Sequence, residues 1–424
     1  MTAPEPESPD PSQVSEQVLA RLARDGAAAA REAIADVARQ TPVLTSRSLS
    51  EACGGRLLLK AENLQRTGSF KLRGALQKIA QLGAEASHGV VAGSAGNHAQ
   101  SLAYAARARG LPCEVYMPEE AAVAKVAAVE GFGGTVHLGG ESVDDCIALA
   151  RERALETGAA FVHPFDDPDV IVGQATLGLE LLADVPDIAK VVVPVGGGGL
   201  ISGVAGVLKA ARPQVEVMGV QARACSPFVA SLDSGRATTA VGTATIADGI
   251  AIKRPGEITL PLVARLVDEL CVVDEEEVAD AIVRLLERAK LVVEGAGAVG
   301  VAALLSGTVA PARSGATVVV LSGGNIDAGL LAAVARRHET AAGRRVRIFA
   351  RISDRPGGLA ALLACVAAAG GNVVTVEHVR DAVELHVRET GVELILETRG
   401  AAHSEAILSA LRAAGYEPVV TPPR

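Results

Sequence analysis

The segment Thr67-Gly68-Ser69-Phe70-Lys71-Leu72-Arg73-Gly74-Ala75 sets a lysine among small and aromatic residues. It lies between the apolar run at 57–59 and an apolar helix expected to start near Gly74. An amine placed there loses solvation, which lowers its pKa and lets it form Schiff bases with carbonyl groups. The chain has only eight lysines against thirty-two arginines, so a lysine at this point stands out mildly. A solvated lysine at the mouth of a helix is the alternative reading of the segment alone.

Two further segments weigh on that choice. Ser94-Ala95-Gly96-Asn97-His98-Ala99-Gln100 follows a strand-like run at 89–92 and precedes a helix-like run at 101–109. Backbone N–H groups and a polar side chain at a helix N-terminus suit an anion, although an ordinary Asn/Gly turn has the same composition. A β-run at 191–195 enters Gly196-Gly197-Gly198-Gly199-Leu200 and a helix-like run at 201–211. Four glycines let the backbone close on a phosphate because no Cβ obstructs it. No Lys-Ser or Lys-Thr follows, so this is not a nucleotide-triphosphate loop; a plain flexible turn is the alternative. A reactive lysine, a polar turn and a phosphate cradle together point to a phosphorylated aldehyde cofactor, pyridoxal 5'-phosphate.

On these residues the chain resembles the fold-type II pyridoxal-phosphate enzymes, which have the two-domain α/β fold of tryptophan synthase β. Within them it is similar to the threonine ammonia-lyases (threonine dehydratases) that carry one C-terminal ACT domain. The likeness spans roughly residues 20–420. It rests on the three motifs above and on Ser322-Gly323-Gly324-Asn325, all in the family's order. The resemblance implies that Lys71 anchors the cofactor and acts as the catalytic base. It implies that Phe70 packs beside the ring and that Asn97 contacts the ring hydroxyl. Gly196, Gly197, Gly198, Gly199 and Leu200 would hold the phosphate, and Ser322 would face the pyridine nitrogen. Ser94, Asn97 and His98 are the implied neighbours of the substrate carboxylate, and Glu294, in the family's Glu-x-x-Gly pattern, lies near the cofactor.

The implied reaction is dehydration and deamination of L-threonine to 2-oxobutanoate and ammonia, with L-serine giving pyruvate. It would feed isoleucine biosynthesis or threonine catabolism. A serine or hydroxyaspartate dehydratase, a racemase of the same fold and a catalytically silent amino-acid sensor are the alternatives. Ala95 stands where serine racemases carry an acid serine, which favours elimination. Gln221 stands where metal-activated relatives carry a glutamate, so no metal is expected, and Asp248 reads as a structural turn residue. One decoy is set aside. Gly295-Ala296-Gly297-Ala298-Val299-Gly300 fits G-x-G-x-x-G, but the next strand ends in Ser322 rather than in the acid a dinucleotide site requires.

The elements that must position these residues follow from pattern and composition. Short β-branched runs alternate with Ala-rich helical runs from about residue 55 to 322, the mark of an α/β sheet. The expected organisation is a disordered acidic tail at 1–15, a catalytic domain at 16–334 and a smaller subdomain inserted in it at about 65–165. A charged linker at 335–346 and a regulatory domain at 347–424 follow. The last region reads β-α-β-β-α-β, the ferredoxin-like order. Asp354-Arg355-Pro356-Gly357-Gly358-Leu359 and Gly371-Asn372 resemble the ACT signature. That implies Asp354, Gly357 and Asn372 as contacts for an amino-acid effector such as isoleucine or valine, and a homo-oligomer, dimer or tetramer. A module that only mediates oligomerisation is the alternative. The net charge of −9 argues against sequence-independent nucleic-acid binding. Six scattered cysteines form no C-x-x-C pair, which fits buried thiols in a reducing cytoplasm. No run reaches the roughly 18 apolar residues of a membrane span.

Overall fold

The computed structural model describes residues 10–23, 25–380 and 388–421. The chain divides into two compact units, Met1–Ile326 and Asp327–Arg424.

The first unit is built on two sheets. The larger has the order Val43–Thr45, Leu57–Ala61, Ala316–Leu321, Ile188–Pro194, Glu216–Ala222, Glu269–Val273. Only the first strand is antiparallel to its neighbour. Its central strands are almost continuous Val, Leu and Ile and are buried along nearly their whole length, as parallel strands covered by helices on both faces must be. The smaller sheet is all parallel, in the order Thr135–Leu138, Cys113–Met117, Val90–Gly93, Ala160–Phe161.

One long helix, Pro168–Asp184, ties the two functional segments together. It starts cleanly because Asp167 accepts from the N–H groups of Asp169 and Val170 and proline occupies the first turn. A Cβ on its Gly173 would lie 2.7 Å from the Arg73 carbonyl, so the helix Lys71–Leu82 packs backbone to backbone against it. On another side Gly203, of the helix Gly199–Ala211, has equally close backbone contact with it at Ile171.

A buried ionic cluster locks the same region. Arg73 donates from Nε and Nη2 to the two oxygens of Glu62, each at 2.8 Å. It also reaches Glu180 at 2.6 and 3.0 Å. Lys60 adds a 2.6 Å contact to Glu180 and a 2.7 Å bond to the Thr41 carbonyl. All these charged groups are nearly inaccessible to solvent.

Two expectations about organisation are corrected. Residues 11–15 are not tail: Pro11–Ala23 is a helix that buries Ser15, Val18 and Leu22, an i, i+3, i+7 stripe outweighed in composition by its Ser and Glu residues. Residues 1–9 of that expected tail lie outside the described residues. The charged stretch at 335–346 is not a linker either. Helix Ala328–Ala341 runs through it, capped by Asp327, which accepts from Gly329 and Leu330 N–H, and strand Arg345–Ser353 begins three residues after Ala342. The first unit therefore ends at Ile326, not at 334.

Beyond that helix the second unit has Arg345–Ser353, Gly358–Ala368, Asn372–Val379, Glu389–Glu397, Ala401–Ala413 and Val419–Val420 in the order β-α-β-β-α-β. Its strands form one antiparallel sheet, ordered second, third, first, fourth. Residues 381–387, between the second and third strands, lie outside the described residues. Among the described residues no helix is long and apolar enough to cross a membrane.

Candidate active site

A cavity of about 650 Å³ opens within the first unit and gathers the four motifs. Phe70, Lys71, Ser94, Asn97, His98, Gly196, Gly197, Gly198, Gly199, Leu200, Glu294 and Ser322 all line it. The helices beginning at Lys71, Asn97, Gly199 and Gly295 have no side-chain cap, so their first N–H groups are left for other acceptors.

Lys71 opens its helix, with its Nζ donating to the Pro164 carbonyl at 2.7 Å and standing 5.3 Å from the Phe70 ring centre. Burial lowers its pKa, the charge of Glu294 partly opposes this, and the result is about 8. A substantial fraction of the amine is thus neutral and nucleophilic near physiological pH.

The glycine loop has no room for side chains. A Cβ on Gly197 would sit 2.3 Å from the Phe165 ring, and one on Gly199 would sit 2.8 Å from the Phe165 carbonyl. Gly198 adopts a left-handed φ of +93°. The loop is consequently bare backbone at the start of a thirteen-residue helix, a cradle suited to a phosphate.

Asn97 is held from both sides. Its Nδ2 donates to Glu294 Oε1 at 2.7 Å, and its Oδ1 accepts from Asn325 Nδ2 at 2.7 Å. Burial, and next the charge of Asp248, raise the Glu294 pKa to about 7 against the opposing bond from Asn97. Ser322 is buried, and its carbonyl accepts from Phe70 N–H at 3.1 Å, which couples the lysine segment to the last motif.

The two histidines at the cavity wall are neutral. His98 donates from Nε2 to the Val162 carbonyl at 2.9 Å, and burial together with the nearby Lys71 pushes its pKa down to about 3. His163 is pushed equally low, chiefly by burial. A carboxylate at Ser94 and Asn97 would therefore meet hydroxyl, amide and helix N–H donors rather than an imidazolium.

Several lining residues had no sequence signal. The run His163 to Asp167 joins separate parts of the site. His163 Nδ1 accepts from Asp166 N–H at 2.8 Å, Pro164 takes the lysine, and Phe165 backs the glycine loop. Asp166 accepts from the N–H groups of Glu257, Ile258 and Thr259, and Asp167 pairs with Lys78 at 2.7 Å. Their roles run through carbonyls and backbone, which no residue-type pattern reveals. Asp248, expected as a plain turn residue, lines the cavity and pairs with Lys125 at 2.8 Å. Gln221 donates to the Val195 carbonyl and accepts from Phe228 N–H. Among the described residues no cluster of three or more His, Cys, Asp or Glu is placed to hold a metal ion.

In the second unit Asp354 and Gly357 line a separate cavity with His378 and Arg380. Asn372 is not brought to it. It begins the strand whose far end carries His378, and its Nδ2 bonds to Glu397 at 2.9 Å.

Comparison with known proteins bears on this geometry. The model of the pyridoxal-phosphate dependent enzyme family matches residues 34–324. An L-threonine ammonia-lyase of Thermotoga maritima is 48% identical over 389 residues, which is 92% of this chain and 96% of that protein. The solved structure of the processed form of threonine deaminase isoform 2 from Solanum lycopersicum is 32% identical with a TM-score of 0.70, covering 79% of this chain and 96% of its own. Maize serine racemase is 36% identical with a TM-score of 0.70, covering 75% and 98%.

Proposed function

The chain belongs to the pyridoxal-phosphate dependent enzymes and, within them, to the threonine ammonia-lyases, and from that premise we propose that it deaminates L-threonine to 2-oxobutanoate and ammonia. The β-hydroxyl leaves as water, and one water is taken up when ammonia is released. L-serine would give pyruvate in the same way.

The residues present fit the cofactor. A bare glycine cradle, an amine with a pKa of about 8 and an amide donor line one cavity. Bound there, pyridoxal phosphate supplies an aldehyde for the substrate amine and a ring that withdraws electrons from the α-carbon. We assign Lys71 to hold that aldehyde and, once released, to take the α-proton on Nζ. Gly196, Gly197, Gly198, Gly199 and Leu200 would hold the phosphate, with Asn97, Phe70 and Glu294 around the ring. Ser322 offers a neutral hydroxyl to the pyridine nitrogen where a carboxylate would impose a charge. Held this way by Ser322, the ring would withdraw electrons more weakly than one facing a carboxylate, which would favour elimination. Ser94 and Asn97 would orient the substrate carboxylate, with His98 as a neutral wall beside them. The observation that carries the reading is that the buried Lys71 amine and the bare glycine cradle line one cavity.

Racemisation is the second reading, prompted by the racemase likeness. Ala95 lines the cavity without a hydroxyl, which leaves one working acid–base group and favours elimination.

We further propose that the second unit is an ACT module through which an amino acid such as isoleucine or valine controls the enzyme, within a cytoplasmic homo-oligomer serving isoleucine synthesis or threonine breakdown. The β-α-β-β-α-β order and the cavity at Asp354 and Gly357 support this. Asn372, bonded to Glu397 at the other end of its strand, is not assigned to the effector.

The test is 2-oxo acid release from L-threonine and L-serine, with and without isoleucine. Release faster from threonine than serine, altered by isoleucine, is expected. A colourless protein that takes up no added pyridoxal phosphate would overturn the reading.

A further inference from the structure

We infer that Asn325 is a positioning residue that fixes which edge of the Asn97 amide faces the cofactor, an inference that rests on the cofactor reading above. An asparagine amide can be seated two ways round, exchanging its donor for its acceptor. Here the choice is made by a chain of bonds. Asn325 Nδ2 donates to the Thr67 carbonyl at 2.8 Å and to Asn97 Oδ1 at 2.7 Å, and Asn97 Nδ2 donates to Glu294 Oε1 at 2.7 Å.

The Thr67 carbonyl can only accept, so it holds the nitrogen end of Asn325 in place. That nitrogen carries two hydrogens, which go to the near acceptors Thr67 and Asn97 rather than to Gln100 Oε1 at 3.5 Å, and so the oxygen end of Asn97 faces it. Glu294 is a poorer reference, because with its pKa near 7 it changes between acceptor and donor around neutrality. The polarity of Asn97 is set from the Thr67 side and stays the same in either state of Glu294. One Asn97 hydrogen goes to Glu294. The other has no protein acceptor among the described residues, on a side chain that lines the cavity. It is the donor Asn97 keeps for an acceptor oxygen on the cofactor ring.

The surrounding backbone is shaped for this chain. A Cβ on Gly323 would lie 2.1 Å from Glu294 Oε1. A Cβ on Gly68, whose φ is +73°, would lie 2.3 Å from Asn325 Oδ1. Gly324 N–H donates to the Gly68 carbonyl at 2.9 Å, which fixes the segment that carries Asn325 to the segment that carries Lys71.

The test compares wild type, Asn325→Asp and the double variant Asn325→Asp/Glu294→Gln. Each is stripped of cofactor and titrated with pyridoxal phosphate, reading the visible band and its position, with the Tm of the cofactor-free protein alongside. In Asn325→Asp the new carboxylate accepts only, and Asn97 turns over to donate to it. In the double variant the link between 294 and 97 is again satisfied, because the new amide at 294 can donate to Asn97 Oδ1, while the Thr67 carbonyl still lacks the donor it had from Asn325. The expected result is cofactor binding about 10-fold weaker or worse in both variants, with a displaced band, while the double variant regains part of the Tm that Asn325→Asp loses. Wild-type affinity and band in Asn325→Asp would overturn the inference. So would affinity that returns together with Tm in the double variant, which would make the role one of packing. A wild-type protein that binds no cofactor would instead sink the reading on which the inference rests.

Discussion

Lys71 and Arg73 stand two residues apart on one helix, yet they sit in opposite surroundings. Side chains two apart on a helix leave on different faces. Lys71 points into the cavity, where its one hydrogen-bond acceptor is a neutral carbonyl, and burial lowers its pKa to about 8. Arg73 points into the core, where Glu62 and Glu180 each meet it with two oxygens. Its own burial is more than offset by these carboxylates, and its pKa is driven up. Withholding a counter-ion makes one cation reactive, and supplying two makes the other inert. The helix carries both, so the inert cation holds the reactive one in place.

The sharpest break in this contrast is Lys71→Ala. It should remove the visible cofactor band and lower 2-oxo acid release by about 10³-fold or more, while the urea midpoint of the cofactor-free protein stays near wild type. A retained band would mean the cofactor is anchored elsewhere. Arg73→Met should act in the opposite register, costing about 3–5 kcal/mol of stability by leaving the buried Glu62 without its ion-pair partner and Glu180 with Lys60 alone. Urea unfolding measures it. A loss below about 1 kcal/mol would show that the cluster is no lock.

The smallest effect concerns Glu294, whose charge raises the Lys71 pKa against burial. The rate at which cofactor-free protein takes up pyridoxal phosphate should rise with pH through about 8, as the amine loses its proton. In Glu294→Gln the supporting charge is gone, so the midpoint should move to lower pH. An unmoved or higher midpoint would separate the two residues.

The site was largely legible because its chemistry is written in residue type. A lysine among small residues, an asparagine turn, four glycines and Ser322 all reach one cavity. What escaped notice acts through geometry. Pro164 contributes a carbonyl, which every residue has, and Asn325 matters for the orientation of another amide. The two corrected boundaries have a different cause. At 11–15 and 335–341, polar composition suggested irregular chain, while Val18, Leu22 and Val334 give the helices a buried side. In the second unit the element order followed from hydrophobic alternation, whereas the separation of Asn372 from Asp354 depends on which end of a strand meets which turn.

The run from His163 to Asp167 has one more consequence. It is the stretch of chain that leaves the smaller sheet, after strand Ala160–Phe161, and enters the long helix packed between the lysine helix and the glycine-loop helix. It is one of two passages of the chain between the smaller sheet and the larger, the other running from Leu57–Ala61 through Lys71–Leu82 to Val90–Gly93. Successive residues there touch the lysine amine, the glycine loop and the N–H groups of Glu257, Ile258 and Thr259, so a displacement at this crossing would reach all three at once.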